Sequence, residues 1–187
     1  MKLVILASGN GSNLQAVIDS HLAVDIAGVV CNKKDAFAAE RAKAAGIPTV
    51  FLPRGDLNRV EYDALLANVV SAFRPDYVFL LGWMRILTDG FVKHFKVVNL
   101  HPALPGCFSG TGAIERQFAA FRSGKINECG IMTHYVIDEG VDSGPVILKR
   151  NVDLLPSDSL DDFEERVHDT EHSLVIETID LLLKDFY

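Results

Sequence analysis

Apolar and polar positions fall into blocks along this chain, and the blocks switch between strand-like runs and helical spacing. Residues 2–7 are almost continuously apolar, the pattern of a strand buried on both faces. The polar turn Ser8-Gly9-Asn10-Gly11-Ser12-Asn13 follows, and a helix is expected over 14–20. Residues 26–31 predict a second strand, and 36–45 a helix that Gly46 and Pro48 stop. A short strand over 49–52 precedes a helix over 59–72, where Tyr62, Leu65, Leu66 and Val69 share a face. Residues 77–81 predict the fourth strand, 89–93 a short helix, and 97–99 the fifth strand. A helix over 113–122 has Ile114, Phe118 and Phe121 as its core stripe. Two strands, 130–136 and 146–152, flank a long acidic link. The last helix spans 160–184, with Ser159 as N-cap and Asp161 and Asp162 in its first turn.

Strands alternating with helices through short links predict a three-layer, Rossmann-like α/β fold. Its sheet is open and mostly parallel, with helices on both faces. The 187 residues suffice for one domain, 1–187, with little room for a second.

Three places break these patterns. The first is Asn99-Leu100-His101-Pro102. If the strand persists to residue 101, Asn99 and His101 point to one side at a strand end, where open α/β sheets bind ligands. His101 can move a proton near neutral pH, and Asn99 can donate to a developing oxyanion. The second is the 137–145 link, whose Asp142 can return to the same edge and orient the histidine. His134 is a further candidate on the strand before it. The third is Glu171, an acid between Val167 and Leu174 on an otherwise apolar face formed by Leu160, Phe163, Thr178 and Leu181. An acid there is costly unless paired or liganded.

The 8–13 turn between strand and helix suits an anion, although it lacks the third glycine of a dinucleotide fingerprint and the lysine of a Walker loop. Residues 82–87, Gly-Trp-Met-Arg-Ile-Leu, either line an apolar pocket or pack under the next helix with Arg85 solvated. Each residue alone also has a structural reading: Asn99 as a strand-end cap, His101 as a turn residue, Asp142 as a cap of the Gly144-Pro145 turn. No Gly-x-Ser-x-Gly elbow is present, so direct transfer between two substrates fits better than a covalent intermediate. His101, His134 and Asp142 lack metal-site spacing, and no metal is expected.

Composition narrows the setting. Apolar residues are 49% and charged residues 23%, as in a globular enzyme. The net charge of -7 argues against nucleic acid as a general partner. The apolar runs are too short to span a membrane, and the first run breaks at Gly9, unlike a secretory leader. Cys31, Cys107 and Cys129 show no paired spacing, which fits a reducing, cytoplasmic compartment.

Four segments together resemble the folate-dependent formyltransferases, in the branch acting on glycinamide ribonucleotide. They are residues 8–15, 82–87, 99–105 and 141–145. The resemblance covers nearly the whole chain. It implies formyl transfer from 10-formyltetrahydrofolate to the amine of glycinamide ribonucleotide, without a covalent intermediate, by a monomer or homodimer. It implies Asn99, His101 and Asp142 as catalytic residues. Gly11, Ser12, Asn13, Arg59 and Glu171 are implied for the ribonucleotide, and Met84, Arg85, Ile86, Leu87, Val141 and Asp142 for the folate. Residues 106–112 depart from the commoner bacterial form. Two alternatives are a 10-formyltetrahydrofolate hydrolase, where water replaces the amine, and a non-catalytic nucleotide-binding module. The second has no reason to combine Asn99, His101 and Asp142.

Overall fold

The computed structural model describes residues 1–186. One seven-stranded sheet organises them, in the order β3-β2-β1-β4-β5-β6-β7. The strands are β1 (Lys2–Ala7), β2 (Asp25–Cys31), β3 (Thr49–Phe51), β4 (Tyr77–Leu80), β5 (Val97–His101), β6 (Cys129–Val136) and β7 (Val146–Val152). The first five pair in parallel; β6 runs antiparallel to both its neighbours. The sheet is therefore open and mostly parallel, as the alternating pattern predicts.

The helices are α1 (Ser12–Asp19), α2 (Phe37–Ala44), α3 (Arg59–Phe73), α4 (Asp89–Val92), α5 (Ala113–Arg122) and α6 (Leu160–Lys184). Strand β1 shows why they form two layers. Leu3, Ile5 and Ala7 face one core with α1, α2 and α6; Val4 and Leu6 face another with α3 and α4. All five are fully buried, because alternate side chains of a central strand go to opposite faces. Capping boxes start the two longest helices: Asn58 with Glu61 on α3, and Ser159 with Asp162 on α6.

Three expectations shift. Helix α1 begins at Ser12 rather than residue 14, because Gly11 in a left-handed conformation turns the polar pair Ser12-Asn13 into its first turn. Leu65 is exposed on α3, whose inner face instead runs Tyr62, Leu66, Val70. On α6 Leu181 is exposed and Leu182 buried, since the buried face rotates along so long a helix. Strand β5 does reach His101. Among the described residues no helix is long and apolar enough to cross a membrane.

Strand order reverses direction between β1 and β4. Chain connections leave this point on opposite sides and open a crevice at the carboxyl ends of the strands.

Candidate active site

A cavity of about 570 Å³ fills that crevice. The 9–13 turn, the 82–87 loop and the end of β5 form its floor. The 110–115 segment, the loop carrying Asp142, and His168 and Glu171 of α6 close its sides.

The turn after β1 is built tightly. Gly11 has φ 77, and a Cβ there would lie 2.6 Å from the Ala38 Cβ on α2. Only glycine fits both the hand and the space. From α2, Arg41 Nε donates to the Asn10 carbonyl at 3.0 Å and Nη2 to Asn10 Oδ1 at 3.0 Å. No side chain caps α1, so its first N–H groups are left to the cavity. Asn13 Nδ2 donates to Glu171 Oε2 at 3.1 Å, while Asn13 Oδ1 is buried without a partner.

Glu171 therefore sits in the apolar stripe of α6 because two polar groups meet it there. The second is His168, one helical turn away, with Nδ1 3.0 Å from Glu171 Oε2. That hydrogen bond outweighs partial burial and raises the His168 pKa above the ordinary histidine value.

The 82–87 loop is held from two sides. Met84 N donates to Ser8 Oγ at 3.0 Å, and Thr88 N to the buried Asp63 at 2.6 Å. Arg85 is partly buried; its Nε has no hydrogen-bond partner, and its guanidinium lies 4.2 Å from the Tyr62 ring centroid. Burial pushes the Tyr62 phenol up to about 12, so it stays a donor, to the Leu52 carbonyl. Leu87 packs inward, whereas Met84, Ile86 and Val141 remain exposed around the cavity. Three apolar side chains open to solvent at a cavity edge suit a flat apolar ligand.

The end of β5 faces Asp142. This aspartate has a left-handed backbone, φ 54, that few residues adopt outside tight turns. Its Oδ1 accepts from Asn99 Nδ2 at 3.0 Å. Its Oδ2 accepts from the Gly110 N–H at 2.8 Å and lies 3.2 Å from His101 Nδ1. A neutral ring with its proton on Nδ1 would face that carboxylate and leave Nε2 a lone pair. Nε2 is buried and has no partner. Burial lowers the His101 pKa below the ordinary histidine value, against the raising effect of the Asp142 charge, so the ring is neutral at pH 7. Burial would raise the Asp142 pKa, but hydrogen bonding from the His134 side and from Gly110, with the neighbouring imidazoles, lowers it overall.

His134 completes the cluster. Its Nδ1 faces the Tyr135 carbonyl at 2.9 Å, which assigns the proton to Nδ1. Nε2 lies 3.2 Å from Asn99 Nδ2 and 3.5 Å from Asp142 Oδ1, so both the amide and the carboxylate face it.

The structure thus gathers Asn99, His101, Asp142, Gly11, Ser12, Asn13, Glu171, Met84, Arg85, Ile86, Leu87 and Val141 around one cavity. It does not bring Arg59 there. Arg59 opens α3 and pairs with Glu139, which also accepts from the Asp89 N–H at 3.2 Å. This ties down the loop carrying Asp142 from outside. Two participants had escaped the sequence reading. His168 carries a readable signal, its place three residues before Glu171 on a helix. The Gly110 N–H carries none, since a backbone donor has no residue type. Among the described residues no group of three or more His, Cys, Asp or Glu side chains is placed to hold a metal ion.

Known proteins share this architecture. Residues 1–179 match the Formyl transferase family. The chain is 42% identical to the phosphoribosylglycinamide formyltransferase of Dictyostelium discoideum, over 96% of this chain and 97% of that protein. It is 41% identical to the Escherichia coli protein of the same name, over 93% and 83% respectively. The crystal structure of the Campylobacter jejuni phosphoribosylglycinamide formyltransferase superposes with a TM-score of 0.90 at 32% identity, covering 98% of this chain and 97% of that one. With its cavity at the strand-order reversal and likeness of this extent, the chain belongs to the formyl transferase family, among the phosphoribosylglycinamide formyltransferases.

Proposed function

We propose that this chain transfers the formyl group of 10-formyltetrahydrofolate to the amine of glycinamide ribonucleotide. The observation that carries the reading is the unengaged Nε2 of a neutral His101, backed by Asp142, in one cavity with the uncapped start of α1.

The ribonucleotide phosphate sits on the N–H groups of residues 11–13, next to His168, and Glu171 accepts from the ribose hydroxyls. The pterin lies against Met84, Arg85, Ile86, Leu87 and Val141. The amine attacks the formyl carbon, and the carbonyl oxygen becomes an oxyanion. The Asn99 N–H now directed at His134 turns to that oxygen. His101 Nε2 takes the proton released by the attacking nitrogen, and Asp142 stabilises the transient imidazolium. The same proton passes to N10 of the folate as the carbon–N10 bond breaks. Donor and acceptor meet directly, and no enzyme nucleophile is required. The three free thiols support a cytoplasmic setting.

The test is release of tetrahydrofolate from 10-formyltetrahydrofolate with and without glycinamide ribonucleotide. The expected result is release only with the amine present, in step with formylated product. Equal release without it would overturn the transferase reading in favour of the hydrolase.

A further inference from the structure

The loop over the reacting end, residues 106–112, is rich in glycine and small residues, a composition that reads as mobile. The structure shows it fastened. Every second residue is left-handed: Gly106 at φ 76, Phe108 at 49, Gly110 at 82 and Gly112 at 66. Such alternation turns backbone groups of one kind toward a common centre. Here the carbonyls converge, and the charge they enclose is the Arg116 guanidinium of α5. The two N–H donors of Arg116 Nη2 are shared among the carbonyls of Phe108 at 2.7 Å, Ser109 at 2.8 Å and Thr111 at 2.9 Å, with that of Gly110 at 3.5 Å. Nε donates to the Gly112 carbonyl at 3.2 Å. The same guanidinium lies 5.9 Å from the Phe108 ring.

This arrangement has a consequence on the loop's other side. While the carbonyls face Arg116, the Gly110 N–H reaches Asp142 Oδ2, the oxygen that also faces His101. Phe108 has a bulky side chain on a left-handed backbone, a conformation that persists only where its surroundings enforce it. The multidentate bonding of Arg116 supplies that enforcement. A lysine has no counterpart of Nε, so it cannot hold the Gly112 carbonyl while its ammonium meets those of residues 108–111.

We infer that Arg116 is a positioning residue for formyl transfer: it locks residues 108–112 so that the Gly110 N–H stays on Asp142 and holds the carboxylate against His101. The inference rests on the proposed transferase reading, and its test separates the two. Without the clamp the loop loosens, the carboxylate loses one of its donors, and its alignment with His101 Nδ1 weakens. Asp142 then protonates at higher pH, because a hydrogen bond to its charged form has gone.

The experiment compares wild type with Arg116→Ala and Arg116→Lys. Both variants are expected to lose kcat by roughly ten- to hundredfold, the range for removing one hydrogen bond to a charged group. KM for the ribonucleotide should stay within about twofold, as α1 and Glu171 lie elsewhere in the cavity. The acid limb of the kcat profile should move to higher pH in both. Millimolar guanidinium should restore part of the lost rate in Arg116→Ala and none in Arg116→Lys, whose side chain still occupies the space. In parallel, NMR titration of the His101 ring, which needs no turnover, should show a changed pKa in Arg116→Lys, which keeps the positive charge that itself lowers the His101 pKa, so that a change there reports the clamp and not the lost charge. Unchanged kcat and an unmoved acid limb in folded variants would overturn the inference while leaving the transferase reading intact. Absence of amine-dependent transfer in wild type would remove that reading, and the titration would still report whether the clamp reaches His101. A variant that loses kcat with neither a shifted limb nor a changed titration would show a packing role only, and would also overturn it.

Discussion

Two histidine–carboxylate pairs at different ends of one cavity behave in opposite ways. His101 meets Asp142 at the end of β5, and His168 meets Glu171 on α6. The separations are 3.2 Å and 3.0 Å, and both carboxylates are buried. The difference lies in the imidazoles: the His101 side chain is 4% exposed and that of His168 is 48% exposed. For His101, loss of water outweighs the attraction of Asp142, and its pKa falls; for His168, the hydrogen bond to Glu171 outweighs a smaller loss of water, and its pKa rises. A carboxylate neighbour therefore does not decide the charge of a histidine. The hydration left to the ring decides it. Around neutral pH the first ring stays free to take a proton, and the second is biased toward the charge that suits a phosphate.

The comparison can be broken most forcefully at the reacting end. Asp142→Asn removes the carboxylate that faces His101 and, in the proposed reaction, supports its transient charge, and His101→Ala removes the proposed base. Each is expected to lower kcat by about 10²- to 10⁴-fold in a single-turnover formyl transfer assay, with the cooperative thermal transition retained. A loss below tenfold in either would remove that residue from the proton path.

Glu171→Gln comes next. It keeps the shape of the side chain and an acceptor oxygen, but removes the charge that holds the proton on His168. KM for glycinamide ribonucleotide should rise about tenfold with kcat nearly unchanged, and the His168 titration should fall to lower pH. An unchanged KM would show that the ribonucleotide does not use this end of the cavity.

The pH dependence of stability sharpens the contrast through its sign. The His168 pKa is raised in the folded state, so its contribution is fully present below the ordinary histidine value and is lost as pH rises through the raised one. His101 is lowered. It disfavours folding as pH drops from the ordinary histidine value toward its folded pKa, because the unfolded chain then binds a proton that the native state refuses. Asp142 acts further into acid: its contribution is present above the ordinary carboxylate value and is lost as pH falls through its lowered pKa. Urea midpoints of wild type and Glu171→Gln should differ most below the ordinary histidine value and converge as pH rises through the raised one, whereas those of wild type and Asp142→Asn should differ most above the ordinary carboxylate value and converge as pH falls through the lowered one.

The smallest effect is expected at Arg59. It pairs with Glu139 in water and stands outside the cavity. Arg59→Ala should change the ribonucleotide KM by less than about twofold, since exposed ion pairs contribute little. A tenfold rise would place Arg59 on the ribonucleotide after all.

Much of this arrangement can be read from residue types, and the unreadable part has a physical cause. The strand–turn–helix from Lys2 to Asp19 announces itself through an apolar run broken by glycines. Period two sets Asn99 and His101 on one side of β5. Glu171 is conspicuous because an acid among apolar positions demands partners. Helix faces at their margins are harder: Leu65 and Leu181 carry the right chemistry for a core but sit at the exposed border, where sheet geometry and helix rotation decide. Hardest are contacts made by backbone or by left-handed turns. The bond from Gly110 to Asp142, and the φ of 54 that lets Asp142 face β5, depend on how two loops meet. Opposite charge states in two similar pairs are equally unreadable, since side-chain hydration is a property of the folded molecule.

The proposed division of the cavity into a proton-transferring end and a phosphate-binding end is tested most directly by NMR titration of the histidine rings, assigned with His101→Gln and His168→Gln. The structure predicts that the His101 ring takes up its proton below the ordinary histidine value, with the neutral-state proton on Nδ1, while the His168 ring holds its proton above that value. Both rings titrating together near the ordinary value, or His101 above His168, would contradict the assignment of the two ends.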